Sequence, residues 1–130
     1  GVRKGARLAR TGVGKVPGGA LPPQRRGVNA ESLDYPKLTE NSIPSAEEYL
    51  AELEKVAERG YAVDNGEHED FINCIAAPIS GPRGVVAAAS VSVPKVIAGL
   101  DELMSLLPDL LAAAEKASIE CGAPAPGKER

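Results

Sequence analysis

A chain of 130 residues with 43% apolar but only 3% aromatic side chains, no Trp and a single Phe suits one domain whose core is built from Ala, Val, Leu and Ile. No apolar run approaches the ~18 residues of a membrane span, and two cysteines, Cys74 and Cys121, make neither a disulfide framework nor a zinc ribbon, which points to a reducing, cytoplasmic setting. The net charge of -3 hides an asymmetry: residues 1–26 carry seven Lys or Arg and no acid, whereas residues 27–130 carry eight basic and eighteen acidic side chains.

That basic start has the composition of a nucleic-acid arm or a transit peptide, but it lacks the aromatic residues that stack on bases. Because the chain begins with Gly rather than Met, it reads as a piece of a longer protein. Residues 11–27, TGVGKVPGGALPPQRRG, are rich in Gly and Pro, so irregular structure is expected there. SAEEYLAELEKVAERG is the opposite case. Ser45 and Glu48 form a capping box, and Ala46, Tyr49, Leu50, Leu53, Val56 and Ala57 fall on one helical face. Arg59 closes the last turn and Gly60 can take the left-handed stop.

After Gly60 the period changes to alternation, and Tyr61 and Val63 lead a strand into the acidic loop 64–70. FINCIAAPI and GVVAAASVSVP then predict two strands of a hairpin, joined by a turn within residues 80–84. Alternation places Cys74 with Ala76 on one face of the first strand, and Ala88 with Ser90 and Ser92 on one face of the second. Small side chains there leave a hollow beside two hydroxyls. Residues 100–121 predict an amphipathic helix marked by Leu103, Leu107, Leu110, Leu111, Ala114, Ala117 and Ser118, with a break at Pro108. The domain spans residues 1–122, and residues 123–130, in the tail GAPAPGKER, are expected to be disordered.

Most of the chemistry sits in GYAVDNGEHEDFINCIAAPIS, residues 60–80. His68 with Glu67, Glu69 and Asp70 offers metal-binding atoms, but adjacent carboxylates around one imidazole on a loop usually form a solvated acidic face. Cys74 as a nucleophile needs a base, and the only histidine, His68, stands six residues away with no recognised signature. An apolar strand more often carries an inert core thiol. Asp64 can cap the turn that follows it by accepting a backbone N–H. Lys15 fits solvent and an anion equally well. No catalytic residue, metal or cofactor is assigned.

In order, the chain contains LDYPKLTENSIP, a helix, G-Y-A-V-D followed by acids, C-I-A-A-P, S-V-S and a closing helix ending in AEKASIECG. This order resembles the carboxy-terminal effector-binding domain of IclR-type bacterial transcription regulators, most strongly over residues 33–93. The resemblance implies an α+β fold like the GAF and PAS sensors, a curved antiparallel sheet flanked by helices and incomplete at its amino-terminal side. It implies a pocket for a small organic acid effector lined by Asp64, Cys74, Ser90 and Ser92. Thr11-Gly12-Val13-Gly14-Lys15 looks like the family's glycine-rich turn before a helix, which aims backbone N–H groups of Gly12 and Val13 at a carboxylate. Here Val16-Pro17-Gly18-Gly19 replaces the usual apolar helix; Gly66 stands for an acid and Phe71 for a common Gly. The winged helix-turn-helix that would bind DNA is absent from this sequence, as are the first strands of the effector domain.

The resemblance thus implies a sensor, not an enzyme, in which an effector shifts the arrangement that a homo-oligomer, dimer or tetramer, presents to DNA. Two other classes stay open: an association module with a vestigial pocket, and a Cys74-dependent enzyme.

Overall fold

Alternating small and β-branched residues on either side of a two-residue turn fold back on themselves. In the computed structural model, which describes Ala9 and residues 11–124, this produces strands β2 (Ile72–Gly81) and β3 (Gly84–Pro94), turning at Pro82 and Arg83. Gly84 accommodates φ 126°, and Val86 bulges out where the register shifts between Ile79 and Ser80. A shorter strand, β1 (Ala62–Asn65), pairs antiparallel with β2, giving a three-stranded sheet in the order β1-β2-β3.

Helices α1 (Gly12–Ala20), α2 (Pro23–Glu31) and α3 (Ala46–Arg59) precede the sheet; α4 (Leu100–Met104) and α5 (Leu107–Glu120) follow it. Helix α3 forms for the reasons legible in its residues. The Ser45 hydroxyl accepts the Glu48 N–H at 3.2 Å, Tyr49, Leu53 and Val56 are buried, and Gly60 closes the helix at φ 86°. The second helical stretch breaks at Ser105 and Leu106, just ahead of Pro108, which occupies the first turn of α5. A proline there has no N–H to lose to the helix ladder.

Residues 11–27 depart from the irregular structure expected of them. Thr11 caps α1 by accepting the Gly14 N–H at 3.1 Å, and Pro23 opens α2. The correction has a packing cause. A Cβ on Gly18 would lie 2.8 Å from Leu53, and one on Gly19 would lie 2.8 Å from Val56, so these glycines let α1 approach α3. Pro17 sits on the exposed side. Tertiary contact outweighs the poor intrinsic helix propensity of the segment.

Three layers result. On one side of the sheet Val16 and Val56 pack with Ala62 and Ala76, joined by Val13, Val85 and Ala88. On the other, Ile75 and Ala77 meet Leu103, Leu110 and Ala114 of α4 and α5. A third cluster, Ala30, Tyr49 and Leu53, holds α2 to α3, and Tyr35 hydrogen-bonds the Ala30 carbonyl. Residues 122–124 carry no helix or strand; the rest of the tail and the basic residues 1–8 and 10 lie outside the described residues.

Candidate functional site

The register builds the site. Asp64 pairs with Cys74 and Cys74 with Ser92, so three polar side chains from three strands form one row across the sheet. The next row is Ala62, Ala76 and Ser90, and beyond it lie Pro78 and Ala88. Both rows face α1. Gly12 lies against the first: a Cβ there would meet the Cys74 Sγ at 3.3 Å and the Asp64 Cβ at 3.5 Å. The N–H groups of Gly12 and Val13 open the helix and have no intrahelical acceptor.

Of the six residues singled out, Gly12, Asp64 and Cys74 are buried together, and Ser92 stands opposite Cys74. Ser90 lies one row away, and both serines are exposed on β3. Val13 is half-buried, and its side chain packs against the cluster of Val16, Val56, Ala62 and Ala76. The hollow expected near Ala88 is therefore partly covered by the valines of α1. A groove of about 250 Å³ opens at the other end of this layer, between Val16, Gly19, Ala20, Val56, Pro78 and Val85. None of the six lines it.

Burial pushes the Cys74 thiol above its ordinary range; the Ser92 hydroxyl pulls it down, the Asp64 charge adds to the rise and Lys15 opposes it. A protonated thiol is a hydrogen-bond donor and a poor nucleophile. Asp64 caps the following turn, as its residue type suggested, by accepting the Glu67 N–H at 2.8 Å.

Beneath the row lies a feature that the sequence left undecided. Lys15, in the second turn of α1, is wholly buried. Its ammonium donates to Glu67 Oε1 at 2.6 Å, Glu52 Oε2 at 3.1 Å and the Val63 carbonyl at 2.8 Å. Glu52 is shared with Arg59, 3.5 Å away. Burial raises the Glu67 carboxyl above its ordinary range, against the lowering influence of Lys15 and of the Asn65 N–H. The acidic loop is thus only partly a solvated face: Glu67 turns inward, while Glu69 and Asp70 are exposed. His68 and Glu67 border a small cavity with Ser42 and Ile43. Among the described residues no group of three His, Cys, Asp or Glu is placed to hold a metal, and no helix is long and apolar enough to cross a membrane.

A cap-started helix lies over an antiparallel sheet, with a polar row between them, in a mixed α+β domain. The pattern described as Bacterial transcriptional regulator IclR C-terminal matches residues 3–119, and the chain belongs to that family. Among its relatives is the HTH-type transcriptional regulator KdgR of Escherichia coli (strain K12), 38% identical over 93 residues, which is 71% of this chain and 35% of KdgR. The crystal structure of the C-terminal domain of E. coli KdgR superposes with a TM-score of 0.76 at 34% identity, covering 88% of this chain and 71% of that one. The putative transcriptional regulator RHA06195 from Rhodococcus sp. RHA1 superposes with a TM-score of 0.80 at 31% identity, over 88% of this chain and 47% of that one. The chain spans about a third of the length of KdgR. These relatives are named as transcriptional regulators, and the fold is the mixed helix and antiparallel-sheet fold of their effector-binding domains.

Proposed function

We propose that this chain is the effector-sensing unit, residues 1–122, of an IclR-type transcription regulator and that it takes a small organic acid. The observation that carries this is the convergence of Asp64, Cys74 and Ser92 in one row beneath the first turn of α1. The Ser90 and Ser92 hydroxyls donate to a carboxylate or carbonyl, as does the Cys74 thiol once it turns from the Ile75 carbonyl to which it donates at 3.6 Å; the Gly12 and Val13 N–H groups add donors at a helix start, and Asp64 accepts from an effector hydroxyl. No covalent step is required. The effector acts by binding one arrangement of sheet and helices more tightly than another, which biases DNA binding carried elsewhere in the regulator.

The test is a thermal-shift and calorimetric screen of small hydroxy, keto and aromatic acids against the wild-type chain and a Ser90→Ala, Ser92→Ala variant. At least one acid is expected to raise the melting temperature of the wild type and to lose about tenfold in affinity for the variant, the loss of one to two hydrogen bonds. A panel without effect on the wild type, or an effect that survives in the variant, overturns the reading.

A further inference from the structure

We propose that Lys15 is a positioning residue of the effector site: its buried ammonium locks the Glu67 carboxylate, and through it the Asp64 acceptor, to the helix whose first residue, Gly12, lies against the same site. An ammonium has three donors, and all three are taken, by Glu52 on α3, the Val63 carbonyl on β1 and Glu67 in the loop after β1. Glu67 is held at its other oxygen, Oε2, by the Asn65 N–H at 3.2 Å, and its own N–H donates to Asp64 Oδ1 at 2.8 Å. Lys15 stands three residues after Gly12 on α1, and Gly12 lies against Asp64 and Cys74. One side chain therefore sets the spacing between the donors at the helix start and the carboxylate at the end of β1.

Structural need alone does not account for this choice. A buried ion pair contributes little net stability over a well-packed apolar pair of similar size. A charged arrangement that includes an exact hydrogen-bonded link to Asp64 differs from an apolar one chiefly in what it orients. The consequence for the effector rests on the sensing reading above: a rigid frame with donors on one side and a fixed acceptor on the other favours an acid that also carries a hydroxyl.

The experiment separates packing from positioning without any ligand. A Lys15→Met, Glu67→Leu variant removes one charge of each sign and fills the space with apolar groups, so a change in the bond from the position-67 N–H to Asp64 reports geometry rather than net charge. Its melting temperature is expected to fall modestly, because Glu52 and the Val63 carbonyl lose the ammonium they accept from. The amide at position 67, whose N–H donates to Asp64 Oδ1, is expected to exchange about tenfold faster relative to the Ile75 amide. A folded variant whose position-67 amide exchanges as slowly as that of the wild type overturns the proposal. A second variant guards against a double variant that does not fold. Glu67→Gln keeps the side-chain shape, and is expected to speed exchange at the position-67 amide by about threefold or more while leaving the Ile75 amide unchanged; equal exchange at position 67 overturns the proposal as well. A silent acid panel with faster exchange at position 67 would sink the sensing reading and leave the positioning role of Lys15 standing.

Discussion

Cys74 and Cys121 are the same residue type in opposite surroundings. Cys74 is walled in by Gly12 and the Asp64 row, whereas Cys121 is exposed at the end of α5. Thiolate reactivity follows exposure and pKa, so iodoacetamide at pH 8 is expected to modify Cys121 in minutes and Cys74 only on unfolding. Mass spectrometry of the digested protein decides this, and rapid labelling of Cys74 in the native state would contradict the packing described for it. The same burial has a pH consequence. A thiol whose native pKa lies above its ordinary 9.0 holds its proton more tightly folded than unfolded, so its contribution to stability is complete below about pH 9 and is lost as pH rises through the native value. Cys74→Ala should flatten the fall in stability above pH 9 relative to wild type, as measured by urea unfolding across pH 8 to 10.5.

Among the elements, α3 and the hairpin were legible because local signals agreed. Ser45, Glu48 and Gly60 mark the ends of α3, and alternation marks β2 and β3. Helix α1 was not legible, because four glycines, the adjacent pair Gly18 and Gly19 among them, and a proline in nine residues contradict a helix unless a neighbour explains them. The neighbour is α3. Had α1 been recognised, Thr11 as its cap would have placed Lys15 on the buried side, and the inward turn of Glu67 would have followed from the need of that charge for a partner. The contacts also rank the two glycines. At Gly18 an added Cβ meets the ends of the Leu53 side chain, which can swing aside; at Gly19 it meets Val56 Cγ1 at 2.8 Å, Val56 Cβ at 3.1 Å and the Leu53 carbonyl at 3.2 Å. A β-branched side chain and a backbone oxygen yield little. Gly19→Ala is therefore expected to cost about 1–3 kcal/mol by overpacking, despite a helix-propensity gain of up to about 1 kcal/mol, whereas Gly18→Ala is expected to be closer to neutral. Urea denaturation of both variants tests the order, and a Gly19→Ala variant as stable as wild type would mean that α1 and α3 are not in close contact.

At the scale of the whole molecule the sheet raises a question of completeness. Strand β3 is bonded to β2 along one edge, and among the described residues no strand pairs with its other edge across residues 84–94. An unpaired edge of that length is a template for another chain. Near it Val86 is 63% exposed, and Val96 and Ile97 at the strand's end are 94% and 72% exposed, so apolar surface accompanies the open backbone groups. The core offsets this weakly. Its largest buried side chains are Tyr49, Lys15, Leu53, Ile75 and Leu103, one of them a charge, and a domain this small has only ~5–10 kcal/mol of stability to lose. Burying the edge and its valines against a second copy would add to the folded state a term that depends on concentration. The chain is accordingly expected to be a dimer or larger at tens of micromolar, to melt at a lower temperature on each tenfold dilution, and to lose that dependence when Val86→Lys places a charge on the edge. Light scattering that finds a monomer, with a melting temperature indifferent to dilution, would mean that β3 needs no partner.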